Sequence, residues 1–211
     1  MFLIKKILAS IIIYEPESSL ERLVDKLIAQ NADVFLFINK GNFISNKIIS
    51  TRILDYYISP ENVGISSAVN KIIKKFKKEK YNYLFTFDQD SLIEKNFIKL
   101  MIENFENAYI ENKNTVCCSP TIIDRKFSNT KSYNYKLNFK EKKYKKVNFA
   151  ITSGCLFTKK SFTKVGIMNE LLFIDGVDMD WCERANFNNY ILVRSKNVFL
   201  KHKIGQKYLS I

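Results

Sequence analysis

Glycine and proline are scarce in this chain, with six and three residues in 211. A chain so poor in both makes few tight turns and spends most of its length in regular elements. The four cysteines, Cys117, Cys118, Cys155 and Cys182, include no CxxC pair. Neither a disulfide framework nor a zinc site is indicated, and a reducing cytosol is the expected compartment. No apolar run approaches the roughly 20 residues that span a bilayer. The start, Lys5-Lys6 followed by Ile7–Tyr14, has the outline of a signal peptide, but Glu15-Pro16-Glu17 stands where a small-residue cleavage site would be. That segment is expected to be a buried first strand. Internal repeats and linkers are also missing, so one domain over 1–211 is expected.

What is abundant is basic and aromatic. The formal charge is +13, with 17 Phe and 11 Tyr, and hydrophobic residues make up 46% against 26% charged, a globular balance. Lysines concentrate in Lys71–Lys80 and Lys136–Lys146, the second with six lysines against one glutamate. Such stretches attract polyanions or anionic headgroups, or are simply a solvated face. No recognition motif for nucleic acid accompanies them, so nucleic acid is not expected as a partner.

The first half alternates strand and helix. Strands are expected at Ile7–Tyr14, Val34–Ile38, Arg52–Ile58 and Tyr83–Phe87. Ser18-Ser-Leu-Glu21 is a capping-box pattern opening a helix to about Gln30. Apolar residues at helical spacing predict further helices over Ile65–Lys78 and Glu94–Tyr109. This alternation argues for an α/β fold with a mostly parallel, helix-covered sheet, in which ligands sit beyond the carboxyl ends of the strands. The second half is less regular. Strands are expected at Cys117–Ile123 and at Phe149–Phe157 (broken by Ser153-Gly154), a helix at Asp178–Asn188, and short strands at Ile191–Val193 and Val198–Lys201. Lys126–Lys146 reads as a polar, Tyr- and Lys-rich loop or hairpin.

Three features carry candidate chemistry. Asp88-Gln89-Asp90 closes the apolar run Tyr83–Phe87. Carboxylates at i and i+2 on extended backbone share a side, forming an oxygen site for a hard divalent cation; the alternative is a polar turn. Asp175-Gly-Val-Asp178-Met-Asp180 leads into the last helix, with Asp178 and Asp180 just before or within its first turn. There the acids either complement the helix dipole or include one that accepts a proton from a substrate hydroxyl. His202, the one histidine, is either structural or a nitrogen ligand beside the carboxylates.

In order along the chain stand Tyr14-Glu-Pro16, Glu61-Asn62-Val-Gly64-Ile-Ser-Ser-Ala68-Val-Asn70, Phe87-Asp-Gln-Asp-Ser91, Ile151-Thr-Ser-Gly154, Val165-Gly166, Phe173-Ile-Asp-Gly-Val-Asp178-Met-Asp-Trp-Cys182 and His202-Lys-Ile-Gly205. This succession resembles the inverting glycosyltransferases of family 2, and within them bacterial rhamnosyltransferases. The resemblance implies a GT-A fold, Rossmann-like, with about 1–115 holding the nucleotide-sugar and about 116–211 forming the acceptor and catalytic half. It implies a divalent metal, Mn or Mg, on Asp90 and His202, and Asp178 as catalytic base. Tyr14, Asn39, Asn62, Gly64, Asn70, Asp88, Gln89 and Asp90 would meet the donor, with Ser153, Gly154, Asp175 and Trp181 on the acceptor side. The implied donor is dTDP-rhamnose, with a UDP-sugar as the alternative. The implied acceptor is a lipid-linked or oligosaccharide precursor of a surface glycan, met in the cytoplasm or peripherally at the inner membrane face. Two departures stand out. Asn39 in Phe37-Ile-Asn39-Lys-Gly41 replaces the family's usual Asp-Asn pair, and the chain stops nine residues after His202. The second departure motivates an alternative, a truncated and inactive relative that binds a nucleotide or a partner glycosyltransferase.

Overall fold

Alternation of side chains along the first strands sorts them onto two faces of a sheet. In β1 (Ile7–Ile13), Ala9, Ile11 and Ile13 enter one apolar cluster while Leu8 and Ile12 enter another. The same split divides Tyr83, Phe85 and Phe87 from Leu84 in β4 (Tyr83–Asp88). Burial on both faces explains why these strands read as continuous apolar runs. The computed structural model describes residues 6–15, 18–40, 55–124 and 142–202.

Helix α1 (Ser19–Ile28) and, further on, α3 (Phe97–Glu111) cover the first face through Leu20, Leu23, Val24, Leu27, Phe97, Met101 and Phe105. Helix α2 (Gly64–Lys78) covers the other through Ala68, Val69, Ile72, Ile73 and Phe76. It is joined there by α4 (Lys159–Lys164) and α5 (Val177–Phe187). Strands β2 (Asp33–Ile38) and β3 (Asp55–Ile58) extend the sheet on one side. On the other lie β5 (Leu92–Ile93), β6 (Thr115–Asp124), β7 (Tyr144–Val147), β8 (Leu156–Phe157) and β9 (Ile191–His202). The order is β3-β2-β1-β4-β8-β6-β9-β5, with β7 on β9. The β3-β2-β1-β4 half is wholly parallel; β8 joins it antiparallel to both β4 and β6. The chain is thus a single α/β domain with a mixed sheet whose β3-β2-β1-β4 half is parallel.

Several local expectations are corrected. Ser18 makes no side-chain cap; Ser19 instead donates its hydroxyl to the Gln89 carbonyl at 3.5 Å. A capping box does form, at the start of α4 between Thr158 and Ser161, where the sequence pattern had not indicated one. The strand expected over Phe149–Phe157 is reduced to Leu156–Phe157. Gly154, at φ +76°, turns the preceding segment so that its N–H bonds the Thr86 carbonyl at 2.6 Å. The two strands expected near the end are one, β9, with a bulge against β6. Ser119 pairs Arg194 but Thr121 pairs Phe199. Asn104 of α3 fills the bulge, donating to Ser195 Oγ and Asn197 Oδ1, both at 2.7 Å. All four cysteines are buried free thiols, packing as small apolar side chains. No helix among the described residues is long and apolar enough to cross a membrane. Pro16, residues 52–54, most of the Lys126–Lys146 segment and the Lys203–Gly205 block lie outside the described residues, although Tyr144–Val147 is strand β7.

Candidate active site

Two pairings bring the candidate residues together. Parallel pairing of β1 with β4 sets Ile12 beside Asp88, so the chain leaving β1 meets the turn leaving β4. Antiparallel pairing of β5 with the end of β9 sets Leu92 beside Lys201, which brings His202 to that same turn. His202 Nδ1 lies 2.9 Å from Asp90 Oδ1, and Nε2 lies 3.5 Å from Asp88 Oδ2. One ligand atom from each of the three residues lies within 4.8 Å of the others. Asp90 is 7% exposed, so its carboxylate would be costly there without the imidazole or a cation beside it. Burial would depress the His202 imidazolium, but the hydrogen bond to Asp90 and the charges of Asp88, Asp90 and Asp124 outweigh burial and raise it above the usual histidine value. Two carboxylates and one imidazole converging at this spacing fit a hard or borderline divalent cation.

The floor beneath the turn is polar and ordered. Ser153 is buried; its hydroxyl accepts from the Asp88 N–H at 3.2 Å and pairs with Ser91 Oγ at 2.9 Å. Ser153 therefore supports the carboxylate turn from below. Its neighbour Gly154 packs against Pro120, whose Cγ would lie 2.8 Å from any added Cβ. Close packing, with the positive φ, reserves the position for glycine and places it beneath the site as well.

Facing the cluster, Asp178 sits in the first turn of α5, after Gly176 at φ +79°. Desolvation is the largest cause holding its carboxyl at about 6; Asp88 adds to the rise, while a hydrogen bond from the Thr152 backbone and His202 oppose it. The Thr152 hydroxyl donates to Asp178 Oδ1. Thr152 is held in turn by the Thr86 hydroxyl, which donates to its carbonyl at 2.6 Å. Asp180 is committed elsewhere: Arg184 donates Nε to it at 2.9 Å and spans to the Val165 and Ile167 carbonyls. Of the two first-turn acids, Asp180 is thus engaged by arginine, whereas Asp178 lies where Asp88 and His202 act on it.

Other predicted positions fall in less direct places. Asn39 is buried, accepting from the Val63 N–H at 2.9 Å and donating to the Gly64 carbonyl at 3.2 Å. Asn62 Oδ1 accepts from the Gly64 N–H at 3.0 Å, so both asparagines shape the entry to α2. The Ile65 N–H there bonds the Phe173 carbonyl at 2.7 Å, and Phe173 packs against Gly64. Asn70 does not open onto the cleft. Its amide donates to Met168 O and Glu170 Oε1 and accepts from Met168 N, fastening α2 to that loop. Trp181 is likewise a correction. It is 2% exposed, its ring meets Phe157 edge-on at 5.4 Å, and Nε1 donates to Gly166 O. An apolar ring needs the core more than the cleft wall here. Tyr14 and Asp175 are exposed, the first at the mouth of β1 and the second before α5. Thr152 was missed as a functional residue. It stands in the quoted Ile151–Gly154 block, but 26 positions separate it from Asp178 and no local pattern links them.

Solved structures of similar fold are glycosyltransferases. GalNAc-T7 with UDP, GalNAc and Mn2+ superposes with a TM-score of 0.73 at 13% identity, over 98% of this chain and 45% of that one. S. aureus TarS 1-349 in complex with UDP-GlcNAc gives 0.65 at 14% identity, over 98% of this chain and 61% of that one. The chain therefore spans less than two thirds of either structure, and at these identities the likeness establishes the GT-A fold. Residues 10–166 match the model of Glycosyl transferase family 2. The dTDP-rhamnosyl transferase RfbF of Shigella flexneri is 33% identical over 221 residues, covering 97% of this chain and 71% of the relative. A GT-A glycosyltransferase is the class that fold and cleft define. The chain belongs to glycosyl transferase family 2 and is rhamnosyltransferase-like within it.

Proposed function

We propose that the protein is a metal-dependent, inverting glycosyltransferase that moves rhamnose from dTDP-rhamnose to a hydroxyl of a surface-glycan precursor. The observation that carries this reading is the Asp88–Asp90–His202 cluster with Asp178 near enough for Asp88 and His202 to act on its carboxyl, which is held at about 6. The donor rests on similarity to the dTDP-rhamnosyl transferase. A divalent cation, Mn or Mg, held by Asp88, Asp90 and His202 would neutralise charge developing on the departing diphosphate.

The protein's own residues do the rest. Asp178 is ionised at neutral pH yet basic enough to take the acceptor hydroxyl's proton. The Thr152 hydroxyl engages Oδ1 and so orients the carboxylate. The acceptor oxygen attacks the anomeric carbon as the bond to the diphosphate breaks, and one displacement inverts that carbon. No covalent nucleophile is required, and none of the buried cysteines serves as one. A lipid-linked or oligosaccharide acceptor at the cytoplasmic membrane face suits a chain of formal charge +13, since a well-placed lysine gains about 1 kcal/mol at an anionic surface. The test is a panel of dTDP- and UDP-sugars with Mn2+ or Mg2+, with and without chelator, followed by release of nucleoside diphosphate. Release from dTDP-rhamnose that chelator abolishes is the expected result. Turnover that chelator leaves intact would remove the metal role, and preference for a UDP-sugar would remove the donor.

A further inference from the structure

The middle residue of the acidic turn has a different job from its neighbours. Gln89 directs its side chain toward the chain leaving β1. Its Oε1 accepts from the Tyr14 N–H at 3.0 Å, and its Nε2 donates to the Glu15 carbonyl. Both polar atoms of one amide are thus matched to the backbone of adjacent residues, much as a neighbouring strand would match them. The two anchored segments matter for function because of where they lie. β1 is flanked by β2 on one side and β4 on the other, all parallel. The chain leaves β1 toward β2 and leaves β4 away from it, so the crevice between their carboxyl ends is the switch point where such sheets bind ligands. Gln89 crosses that crevice. Ser19 reinforces the tie by bonding the Gln89 carbonyl, and Lys26 and Gln30 of α1 donate to the Ile93 and Glu94 carbonyls just beyond the turn.

We infer that Gln89 is a positioning residue that locks the β1 exit, on the nucleoside side of the donor, to the Asp88–Asp90 turn on its diphosphate side, without touching the donor itself. The inference rests on the nucleotide-sugar reading above. Only a carboxamide of this length has an acceptor for Tyr14 and a donor for Glu15 at once. Without the tie, the β1 exit moves independently of the carboxylates, and a ligand spanning both must order it on binding. A ligand reaching the carboxylate side alone does not feel the loss.

Binding of dTDP and of inorganic pyrophosphate, each with Mg2+, to the wild type and to Gln89→Met and Gln89→Asn separates these cases. Methionine keeps the reach and loses both hydrogen bonds; asparagine keeps the amide and loses the reach. Loss of two ordinary hydrogen bonds predicts a roughly tenfold weaker dTDP affinity for both variants. Pyrophosphate affinity is expected to stay within about twofold, and in turnover the donor KM should rise while kcat changes little. Urea unfolding confirms that each variant is folded, and if methionine is not tolerated the asparagine variant carries the test. A folded variant that binds dTDP as the wild type does would overturn the inference, and so would equal weakening toward both ligands. Wild-type protein that binds pyrophosphate but gains nothing from the nucleoside would bring down the donor reading together with this one.

Discussion

Replacing Asp178 by asparagine is expected to make the protein more stable and less active, with the gain in stability confined to one side of a pH window. The Asp178 carboxyl titrates at about 6 in the folded chain against 3.8 unperturbed, chiefly through desolvation. Below pH 3.8 the acid is neutral in both folded and unfolded chains, so its burial carries no electrostatic penalty. As pH rises from 3.8 toward 6 the unfolded chain ionises first, and folding must then hold back or bury a charge. Wild-type stability therefore declines through that window and levels off above it. A shift of about two pKa units corresponds to about 3 kcal/mol, at 1.36 kcal/mol per unit. Asparagine is neutral at every pH and keeps an oxygen to accept from Thr152, so the variant escapes the decline. Urea unfolding in the presence of chelator is the assay. Near pH 8 the midpoint should rise by about 1 to 1.5 M, taking a slope of about 2 kcal/mol per molar, and near pH 4 the two proteins should nearly coincide. Turnover should fall by roughly 10²–10⁴, the usual contribution of a general base, with nucleotide affinity retained. Equal stability near pH 8, or the same gain at both pH values, would refute the desolvation argument. Retained turnover would refute the base.

Thr152→Val keeps the shape and removes the donor to Asp178 Oδ1, so kcat should drop about tenfold with donor KM unchanged, and Thr152→Ser should restore it. Unchanged kcat would remove Thr152 from the proton path. Divalent-metal affinity should weaken as pH falls through the raised His202 value, by up to about tenfold per pH unit, because a proton and the cation compete for the imidazole. Titration calorimetry with Mn2+ near pH 6 and near pH 8 checks this, and equal affinities would exclude His202 as a ligand.

The parallel half of the fold was legible because its physics is local. Apolar runs such as Tyr83–Phe87 mark strands buried on both faces, and the helix expected over Ile65–Lys78 forms as Gly64–Lys78. The second half depends on contacts distant in sequence. Ser195–Asn197 interrupt an apolar pattern, and partners distant in sequence, Asn104 and Thr121 among them, make those polar atoms compatible with a continuous strand. Phe149–Phe157 is apolar enough for a strand, but Gly154 turns its middle back onto Thr86. In the site, the spacing of Asp88 and Asp90 pointed to a shared side, whereas proximity to His202 required the sheet. Family resemblance locates a position but not the direction of its side chain, which is why Asn70 and Trp181 were expected at the cleft and lie packed away from it.

The bulge in β9 works as a length gauge for the putting-together of the acidic cluster. From Ser119 to Thr121 the chain of β6 advances two residues, while β9 advances five from Arg194 to Phe199, three more than a regular ladder needs. Were those three residues kept in register, Phe199 would stand opposite Asp124 where His202 now does. The imidazole would then lie about 10 Å further along the strand and, three being odd, on the opposite face of the sheet. Whether this protein has a nitrogen beside Asp90 is thus decided some seven residues away, by a helix asparagine that makes room for surplus backbone. Insertions or deletions between Ser195 and Val198 would switch that ligand on or off while leaving every residue of the cleft unchanged.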